Sequence, residues 1–118
     1  MFQYRCSIVR VIDGDTVVLD IDLGFHTTVR ESCRLLGIDA PEVRGEERPQ
    51  GLESKAFLEW LISASDKSDD KFVCHTVRDR QGKYGRYLVD LWMETSVGDE
   101  ICVNTVMVEE GYAEEYDK

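Results

Sequence analysis

The sequence predicts an α+β domain: a small barrel of five β-strands, with a helix inserted after the third strand and a short helix near the C-terminus. Five segments alternate apolar with polar residues, as strands with one buried face do. Helical spacing of apolar residues occurs only between the third and fourth of these segments, and briefly after the fifth. A chain of 118 residues can bury one core and seldom two. We therefore expect a single domain over residues 1–118.

The first three strands are predicted over residues 3–12, 16–22 and 26–38, which are rich in valine and isoleucine. The connecting segments, DGD at 13–15 and LGF at 23–25, contain the glycines that tight hairpin turns favour. The three strands should therefore form an antiparallel meander.

An exposed loop and a helix are predicted after Pro41. The loop is the polar segment RGEERPQG at 44–51, which is bounded by turn residues. The helix is predicted over residues 52–65. It should bury one apolar face, formed by Leu52, Ala56, Phe57, Trp60 and Leu61.

The second half of the chain predicts two more strands, over residues 71–78 and 86–93, joined by a polar connection that contains two glycines. Asn104 is a suitable N-cap for a short helix over 105–110, which Gly111 would close. Five antiparallel strands with a helix inserted after the third suit a small closed barrel of the oligonucleotide-binding type, the OB-fold.

The chain shows no targeting or membrane segment. Its N-terminus enters the first strand pattern directly, without a basic segment and an apolar stretch before a cleavage site. No window approaches the ~20 uninterrupted apolar residues of a membrane span. The cysteines lie far apart and form no C-x-x-C pair, so buried free thiols are favoured over disulfides; they are Cys6, Cys33, Cys74 and Cys102. These features favour a cytoplasmic protein, and a secreted mature form stays open.

The formal net charge of −10 is unusual for a protein that binds nucleic acid. Its distribution weakens that objection. Residues 87–118 carry nine acidic residues and one lysine, a net charge of −8, whereas residues 1–86 carry fifteen acidic and thirteen basic residues, a net charge of −2. The acidity is mostly C-terminal, and it predicts weaker and less salt-dependent binding to long nucleic acids than a basic homologue would show.

Two carboxylates are predicted to lie close together in the segment IDAPE. Pro41 fixes one backbone torsion and biases Ala40 away from helix, so Asp39 and Glu42 flank an ordered turn at a strand end. Two carboxylates in a confined turn repel each other unless a cation or a proton lies between them. Hard oxygen ligands suit Ca²⁺ or Mg²⁺. The alternative is that Asp39 and Glu42 do not form a joint site, and that one is an acid at the entry to a helix and the other an unrelated surface acid.

Two arginines adjoin apolar strands, Arg34 before LLGI and Arg86 before YLVDLW. A guanidinium in such a place requires an anion, either a phosphate or a protein carboxylate. The DGD segment alone is most simply a hairpin turn, and Asp15 becomes a candidate only together with these groups. Arginines, a carboxylate corner that binds metal, and a further glutamate are the groups that phosphodiester hydrolysis requires.

Four motifs in this order and approximate spacing resemble the staphylococcal nuclease (thermonuclease-like) family: VIDGDTV, RLLGIDAPE, GKYGRYL and VNTVMVEEGYA. The resemblance covers nearly the whole chain, and the four motifs together are far more specific than any one of them. It implies a five-stranded OB-fold barrel with helices packed on it, in agreement with the strand and helix pattern.

The resemblance implies a calcium site. Asp15 and Asp39 would be carboxylate ligands, and the backbone carbonyl of Ala40 would be a third ligand. The best-known member of the family has threonine at the position of Ala40, and a carbonyl ligand survives that change. Another divalent cation remains open, because so few protein ligands predict weak calcium binding.

The resemblance also implies catalytic roles. Glu42 would be the general base for the attacking water, and Arg34 and Arg86 would bind and stabilise the phosphate. Family enzymes cleave DNA and RNA at the 5′ oxygen and leave 3′ phosphates. Lys83 and Tyr84 match the residues that flank a terminal phosphate.

One of two C-terminal tyrosines, Tyr112 or Tyr116, is expected to stack on a base, and Tyr116 is the candidate carried forward. The leading interpretation is a monomeric, metal-dependent nuclease acting on DNA, RNA or both, with no membrane partner. The alternative is a non-catalytic barrel that binds single-stranded nucleic acid or a protein. Retention of the full catalytic set favours the enzyme.

Overall fold

The structure, a computed structural model, describes residues 2–63, 72–78, 87–95 and 97–116. The first half contains strands β1 to β4, a 3₁₀ turn at Gly45–Glu47 and helix α1. Their bounds are β1 Phe2–Asp13, β2 Thr16–Gly24, β3 Thr27–Leu35, β4 Ile38–Asp39 and α1 Arg48–Ser63. The second half contains β5 Phe72–Arg78, β6 Tyr87–Glu94, β7 Glu100–Cys102, α2 Val103–Glu109 and β8 Glu114–Glu115. No described helix is long and apolar enough to cross a bilayer.

The predicted five-stranded barrel with a helix after its third strand is confirmed. The strands pair in the order β3-β2-β1-β5-β6, and β3 then pairs with β6 to close the ring. The closing pair is parallel, with Arg34 opposite Leu88, whereas the other four pairs are antiparallel as expected. β7 extends the sheet beyond β6, and β4 forms a separate two-stranded ribbon with β8. Closure leaves the barrel strands few free edges.

The barrel encloses one apolar core. Alternate residues of the strands point inward and are fully buried, among them Val17, Leu19, Cys33, Leu35, Cys74, Val89, Leu91 and Met93. Helix α1 adds Leu58 and α2 adds Met107, both with no exposed surface. All four cysteines are free thiols, and three of them lie in this core. Burial raises the pKa of the Cys33 thiol to about 12, so it stays protonated and behaves as an apolar side chain.

The turn between β2 and β3 differs from the prediction. Gly24 pairs with Thr27, so Phe25 and His26 are the two central residues of the hairpin. Both have positive φ, 55° and 62°, which suits the twist of a two-residue hairpin turn but is unfavourable for side chains with a Cβ. The glycine of LGF precedes the turn instead of forming its centre. Phe25 is 99% exposed at the tip.

The predicted buried face of α1 was wrong in part. Leu52 and Trp60 are 41% and 62% exposed, and Ala56 is also exposed. The helix instead buries Gly51, Ser54, Leu58 and Leu61. The small side chains at the first two of these positions allow α1 to approach the neighbouring chain segments closely, and that contact fixes its rotation. The helix also begins at Arg48, so the expected loop at 44–51 is shorter, with Pro49 in the first turn where proline is tolerated.

The predicted N-cap role of Asn104 was wrong. Helix α2 begins at Val103 directly after β7, so Asn104 is its second residue. Its buried side chain accepts a hydrogen bond from the Leu91 N–H (3.0 Å) and donates to the carbonyls of Leu36 (2.9 Å) and Val89 (3.0 Å). Asn104 therefore ties α2 to β6 and to the segment that follows β3, which leads to the candidate site.

Candidate active site

The segment RLLGIDAPEV does not form one continuous strand. β3 ends at Leu35, the chain turns at Gly37 with a φ of 79°, and Ile38–Asp39 form the separate strand β4. β4 pairs with β8, so that Asp39 lies opposite Glu114. The Tyr116 N–H donates to the Gly37 carbonyl (2.8 Å) and fixes the end of this ribbon. The turn leaves the Asp39 side chain 56% exposed at the end of the barrel.

Asp15 lies in the turn between β1 and β2 and is held firmly beside β4. It is 6% exposed. Its Oδ2 accepts the Ala40 N–H (2.9 Å), its Oδ1 accepts the Thr16 hydroxyl (2.9 Å), and its carbonyl accepts the Leu35 N–H (2.7 Å). The bond from Ala40 joins two residues 25 positions apart in the sequence.

A glycine makes that approach possible. A Cβ on Gly14, next to Asp15, would lie 2.8 Å from the Cβ atoms of both Ala40 and Ser54. Contacts that short force neighbouring groups to move, so a larger residue would push the turn away from β4 and from α1. The glycine of DGD is therefore required for packing around the site and not for a positive φ.

Arg34 brings the two aspartates together. Its Nη2 lies 3.2 Å from Oδ1 of Asp39 and 3.6 Å from Oδ2 of Asp15. The guanidinium also lies 5.6 Å from the centroid of the Tyr116 ring, at a cation–π distance. The Arg34 side chain is 25% exposed, so part of it remains open to solvent. Four predicted site residues thus meet at one end of the barrel.

The two aspartates have opposite pKa shifts. Burial by itself raises the pKa of Asp15, but hydrogen bonds from the Asp13 side chain, the Ala40 N–H and Thr16, together with the Arg34 charge, hold it below its ordinary value. Burial raises the pKa of Asp39, and repulsion from the Asp15 charge raises it further. Asp15 is therefore the more permanent anion of the pair.

Asp13 is a third carboxylate at the site that the sequence reasoning missed. Burial, and then its proximity to Asp15, raise its pKa to about 6. Its Oδ1 accepts the Asp15 N–H (3.0 Å), as acids at the start of tight turns often do. That ordinary turn role explains why DGD indicated only one candidate. The available signal was an acid at the end of a strand, two residues before the acid of a tight turn, where the two charges must interact.

Glu42 lies on the exposed segment after Pro41, close to the start of α1. Its backbone packs directly on α1, since a Cβ on Gly51 would overlap the Glu42 carbonyl oxygen. The Glu42 side chain is exposed, and no ion pair of it occurs in the parts of the chain that the structure describes. The helix therefore positions the backbone of Glu42 and leaves its carboxylate accessible.

The two C-terminal tyrosines have different surroundings. Tyr116 lies against Arg34, as noted above. Tyr112 stacks on Phe57 of α1, with ring centroids 4.2 Å apart and planes at 12°, and its carbonyl accepts the Ser54 hydroxyl (2.6 Å). Tyr116 is therefore the tyrosine beside the aspartates. The other three candidates, Lys83, Tyr84 and Arg86, lie outside the described residues.

The donor set at this end of the barrel fits a hard divalent cation. The Arg34 guanidinium lies near both Asp15 and Asp39, which shows that the two carboxylates face a shared point where positive charge is stabilised. The Ala40 carbonyl belongs to the same segment. No group of three His, Cys, Asp or Glu side chains within the described ranges could hold a metal. A cation here would therefore rely on two carboxylates, backbone oxygen and water, as Ca²⁺ and Mg²⁺ accept.

The sequence is similar to a known protein family and to several known proteins. The family described as "Staphylococcal nuclease homologue" matches residues 32–118. The chain is 32% identical to a thermonuclease of Staphylococcus intermedius over 88% of its own length and 55% of the relative's. It is 31% identical to Protein ParB of Escherichia coli (97% and 58%) and 27% identical to an uncharacterised protein of Methanocaldococcus jannaschii (97% and 60%). The chain thus spans little more than half the length of these relatives, and it belongs to the staphylococcal nuclease family.

Proposed function

We propose that this protein is a calcium-dependent nuclease that hydrolyses phosphodiester bonds of DNA, RNA or both. The observation that carries the proposal is the convergence of Asp15, Asp39 and Arg34 at one end of the barrel. The accessible Glu42 follows Asp39 three residues later in the chain. The two carboxylates can hold a cation, and the adjacent guanidinium can bind a phosphate. Together they can hold both ligands side by side.

Asp15 and Asp39 would hold the cation, with the Ala40 carbonyl as a further oxygen ligand. A bound divalent cation supplies Lewis-acid stabilisation of the negative charge that develops on a phosphoryl oxygen. The low pKa of Asp15 keeps one full negative charge available for it. Calcium is the preferred ion by family membership, and Mg²⁺ is the first alternative, since both take oxygen ligands.

Arg34 would bind the phosphate. It contacts Asp39 and Asp15, and its side chain is 25% exposed, so a phosphate oxygen can approach it from solvent and accept a hydrogen bond. Arg86 is proposed as the second phosphate-binding arginine, on the motif GKYGRYL alone. Lys83 and Tyr84 are proposed on the same motif as contacts to a terminal phosphate, and Tyr116 as a stacking surface for a base.

Glu42 would act as the general base. It takes a proton from a water molecule as the water oxygen attacks phosphorus, and the bond from phosphorus to the 5′ oxygen breaks. The products are one strand end with a 3′ phosphate and another with a 5′ hydroxyl, once the leaving oxygen has received a proton. Arg34 stabilises the extra charge on the phosphoryl oxygens during the attack.

Two relatives are named thermonucleases, which supports nuclease activity for this chain. The alternative is a barrel that binds single-stranded nucleic acid or a protein without cleaving anything. The net charge of −10 favours this alternative only weakly, because the acidity is mostly C-terminal. A monomer that acts on nucleic acid without any membrane partner is the proposed working form.

The test is incubation of the purified protein with single- and double-stranded DNA and RNA in Ca²⁺, in Mg²⁺ and in chelator. We expect cleavage that requires the cation and leaves 3′ phosphates, which end-labelling detects. Glu42→Gln should lower the rate by at least about 100-fold, the typical contribution of a general base. Glu46→Gln, at an exposed acid of the nearby 3₁₀ turn, is the matched control and should leave the rate unchanged. Binding without cleavage in every cation would favour the alternative.

A further inference from the structure

The ribbon of β4 and β8 places a glutamate beside the proposed cation site. Glu114 of β8 is the direct partner of Asp39 in the antiparallel register. Directly opposite residues of an antiparallel pair project on the same face, with Cβ atoms roughly 4.5–5.5 Å apart. The Glu114 carboxylate therefore shares the face of Asp39. Both residues are exposed, so solvent, a cation or a substrate can reach this face.

The next residue of β8 projects the other way. Glu115 is the direct partner of Ile38, which is 4% exposed and faces the protein. Glu115 lines a cleft with Ile38, Leu36 and residues of α2, on the side of the ribbon away from Asp39. Glu114 and Glu115 thus carry the same charge, are both exposed, and differ in the face that they occupy.

Glu114 has no evident structural purpose. No hydrogen bond or ion pair of its side chain occurs in the described part of the chain. Like charges directly opposite in a strand pair are destabilising. Arg34 offsets the charge of Asp39 in that pair, and no further cation lies within ion-pair distance of Asp39 among the described residues. The acid at position 114 therefore adds negative potential where it does not help the fold.

We propose that Glu114 is a specificity-determining residue of this site, which strengthens the binding of a divalent cation at Asp15 and Asp39 and weakens contact with backbone phosphate on the same flank. This inference rests on the proposed function. A carboxylate on the same face as a bound divalent cation attracts the cation even in a high dielectric, and it repels a phosphate on that face. The site would thus bind its metal more tightly than two carboxylates allow, at the expense of substrate affinity.

The first experiment measures cation binding alone. Calcium is titrated into the wild type, Glu114→Gln and Glu115→Gln by calorimetry at low ionic strength, without nucleic acid. Glu114→Gln should lower the affinity by about threefold to tenfold. Glu115→Gln removes the same formal charge on the other face and should lower it by less than about twofold. Glu114→Lys should lower it further than Glu114→Gln.

The second experiment measures binding of a labelled single-stranded oligodeoxynucleotide in chelator, by fluorescence anisotropy. Glu114→Gln should tighten binding by about twofold to fivefold and Glu114→Lys by more, whereas Glu115→Gln should have a smaller effect. Thermal unfolding of each variant should stay within about 3 °C of the wild type, because the substituted side chains are exposed.

Equal effects of Glu114→Gln and Glu115→Gln in both experiments would overturn the inference, because net charge alone would then explain them. If the wild type cleaves nucleic acid and this equality holds, the inference fails and the proposed function stands. If the two variants differ as expected but the wild type cleaves nothing, the inference stands for a binding site and the nuclease fails. No binding of Ca²⁺ or Mg²⁺ to the wild type would overturn both.

Discussion

The Arg34 guanidinium lies 5.6 Å from the centroid of the Tyr116 ring and 3.2 Å from the Asp39 carboxylate. Tyr116 follows β8, and its N–H is bonded to Gly37, so this contact joins the C-terminal ribbon to the only described arginine of the site. The ring and the carboxylate together define where the guanidinium lies.

Removal of the Tyr116 ring should loosen Arg34. Tyr116→Ala is expected to lower kcat/KM for nucleic acid by about twofold to tenfold, because a partly exposed cation–π contact contributes about 0.5–1 kcal/mol and base stacking is also lost. Tyr116→Phe keeps the ring and should retain most of the activity. Steady-state kinetics on a short oligonucleotide compares them, and equal losses in both variants would assign the effect to the hydroxyl.

Arg34 competes with a cation for the same carboxylates. Arg34→Gln should therefore tighten calcium binding. It should also lower nuclease activity by about 100-fold or more, because the guanidinium that stabilises the phosphate is lost. Arg30→Gln is the control, since Arg30 pairs with Asp20 (2.8 Å) on the exposed side of the barrel. Calorimetry and kinetics on both variants check the expectation. Calcium binding that is weaker in Arg34→Gln than in the wild type would contradict it.

The stability of the metal-free protein should fall as pH rises from about 4 to about 6. Asp13 has a folded pKa of about 6 against an ordinary value of 3.8, so the folded state binds more protons than the unfolded state in this window. Asp15, whose pKa is lowered, acts below 3.8 and in the opposite direction. Asp13→Asn should remove much of this pH dependence, by less than the full pKa shift implies, because the carboxylate is partly exposed and its charge is screened by solvent.

Urea unfolding at a series of pH values in chelator measures that effect. Asp99→Asn, in the exposed turn between β6 and β7, is the control and should keep the wild-type slope. If the dependence of the unfolding free energy on pH is unchanged in Asp13→Asn, groups other than Asp13 are responsible for it.

Gly51 should matter to activity as well as to stability. Gly51→Ala would normally stabilise a helix, but its Cβ overlaps the Glu42 carbonyl, so we expect a loss of about 1–3 kcal/mol and a displaced Glu42. Ala56→Gly, on the exposed side of α1, should cost about 1 kcal/mol and leave the rate unchanged. Thermal unfolding and nuclease assays of both variants separate the two effects. Full activity in Gly51→Ala would show that the backbone contact does not position Glu42.

Asn104 should be required for folding. Asn104→Ala leaves the Leu91 N–H and the Leu36 carbonyl without this partner and removes one of the two bonds to the Val89 carbonyl, which keeps the Leu36 N–H (2.8 Å). We expect a loss of about 2–4 kcal/mol. Thr105→Ala, at the exposed next position, should stay within about 0.5 kcal/mol of the wild type. Denaturant unfolding compares the two. Similar values for both would show that the buried bonds contribute little.

The strands and the inserted helix could be predicted because their signals are local. Leu19 and Ile21 are apolar and buried and alternate with Asp20 and Asp22, which are not buried, so the period of two is visible without knowing the fold. The parallel closure of β3 on β6 could not be predicted, because it depends on how far the whole sheet curls. The rotation of α1 was also hidden, since Gly51 and Ser54 carry no apolar signal and are buried by close approach.

The site was predictable as a set of residues and less so as an arrangement. Asp39 and Arg34 stood out because charged groups flank an apolar strand. The division of that stretch into β3 and β4 depends on β8, whose pairing with Asp39 involves a residue 75 positions later. Asp13 was missed because an aspartate before a tight turn is common for structural reasons. The sequence does not distinguish that structural role from a charge interaction with Asp15.

The ribbon of β4 and β8 determines when the site assembles during folding. Hydrogen bonds that position Asp15 need only the first 40 residues, whereas Asp39 is fixed by a strand near position 114. Contacts between residues so distant in sequence form late, because the entropy of closing the intervening chain must be overcome first. A chain under synthesis would therefore carry both aspartates before β8 exists, and the pair would reach its final arrangement only once β8 has paired with β4.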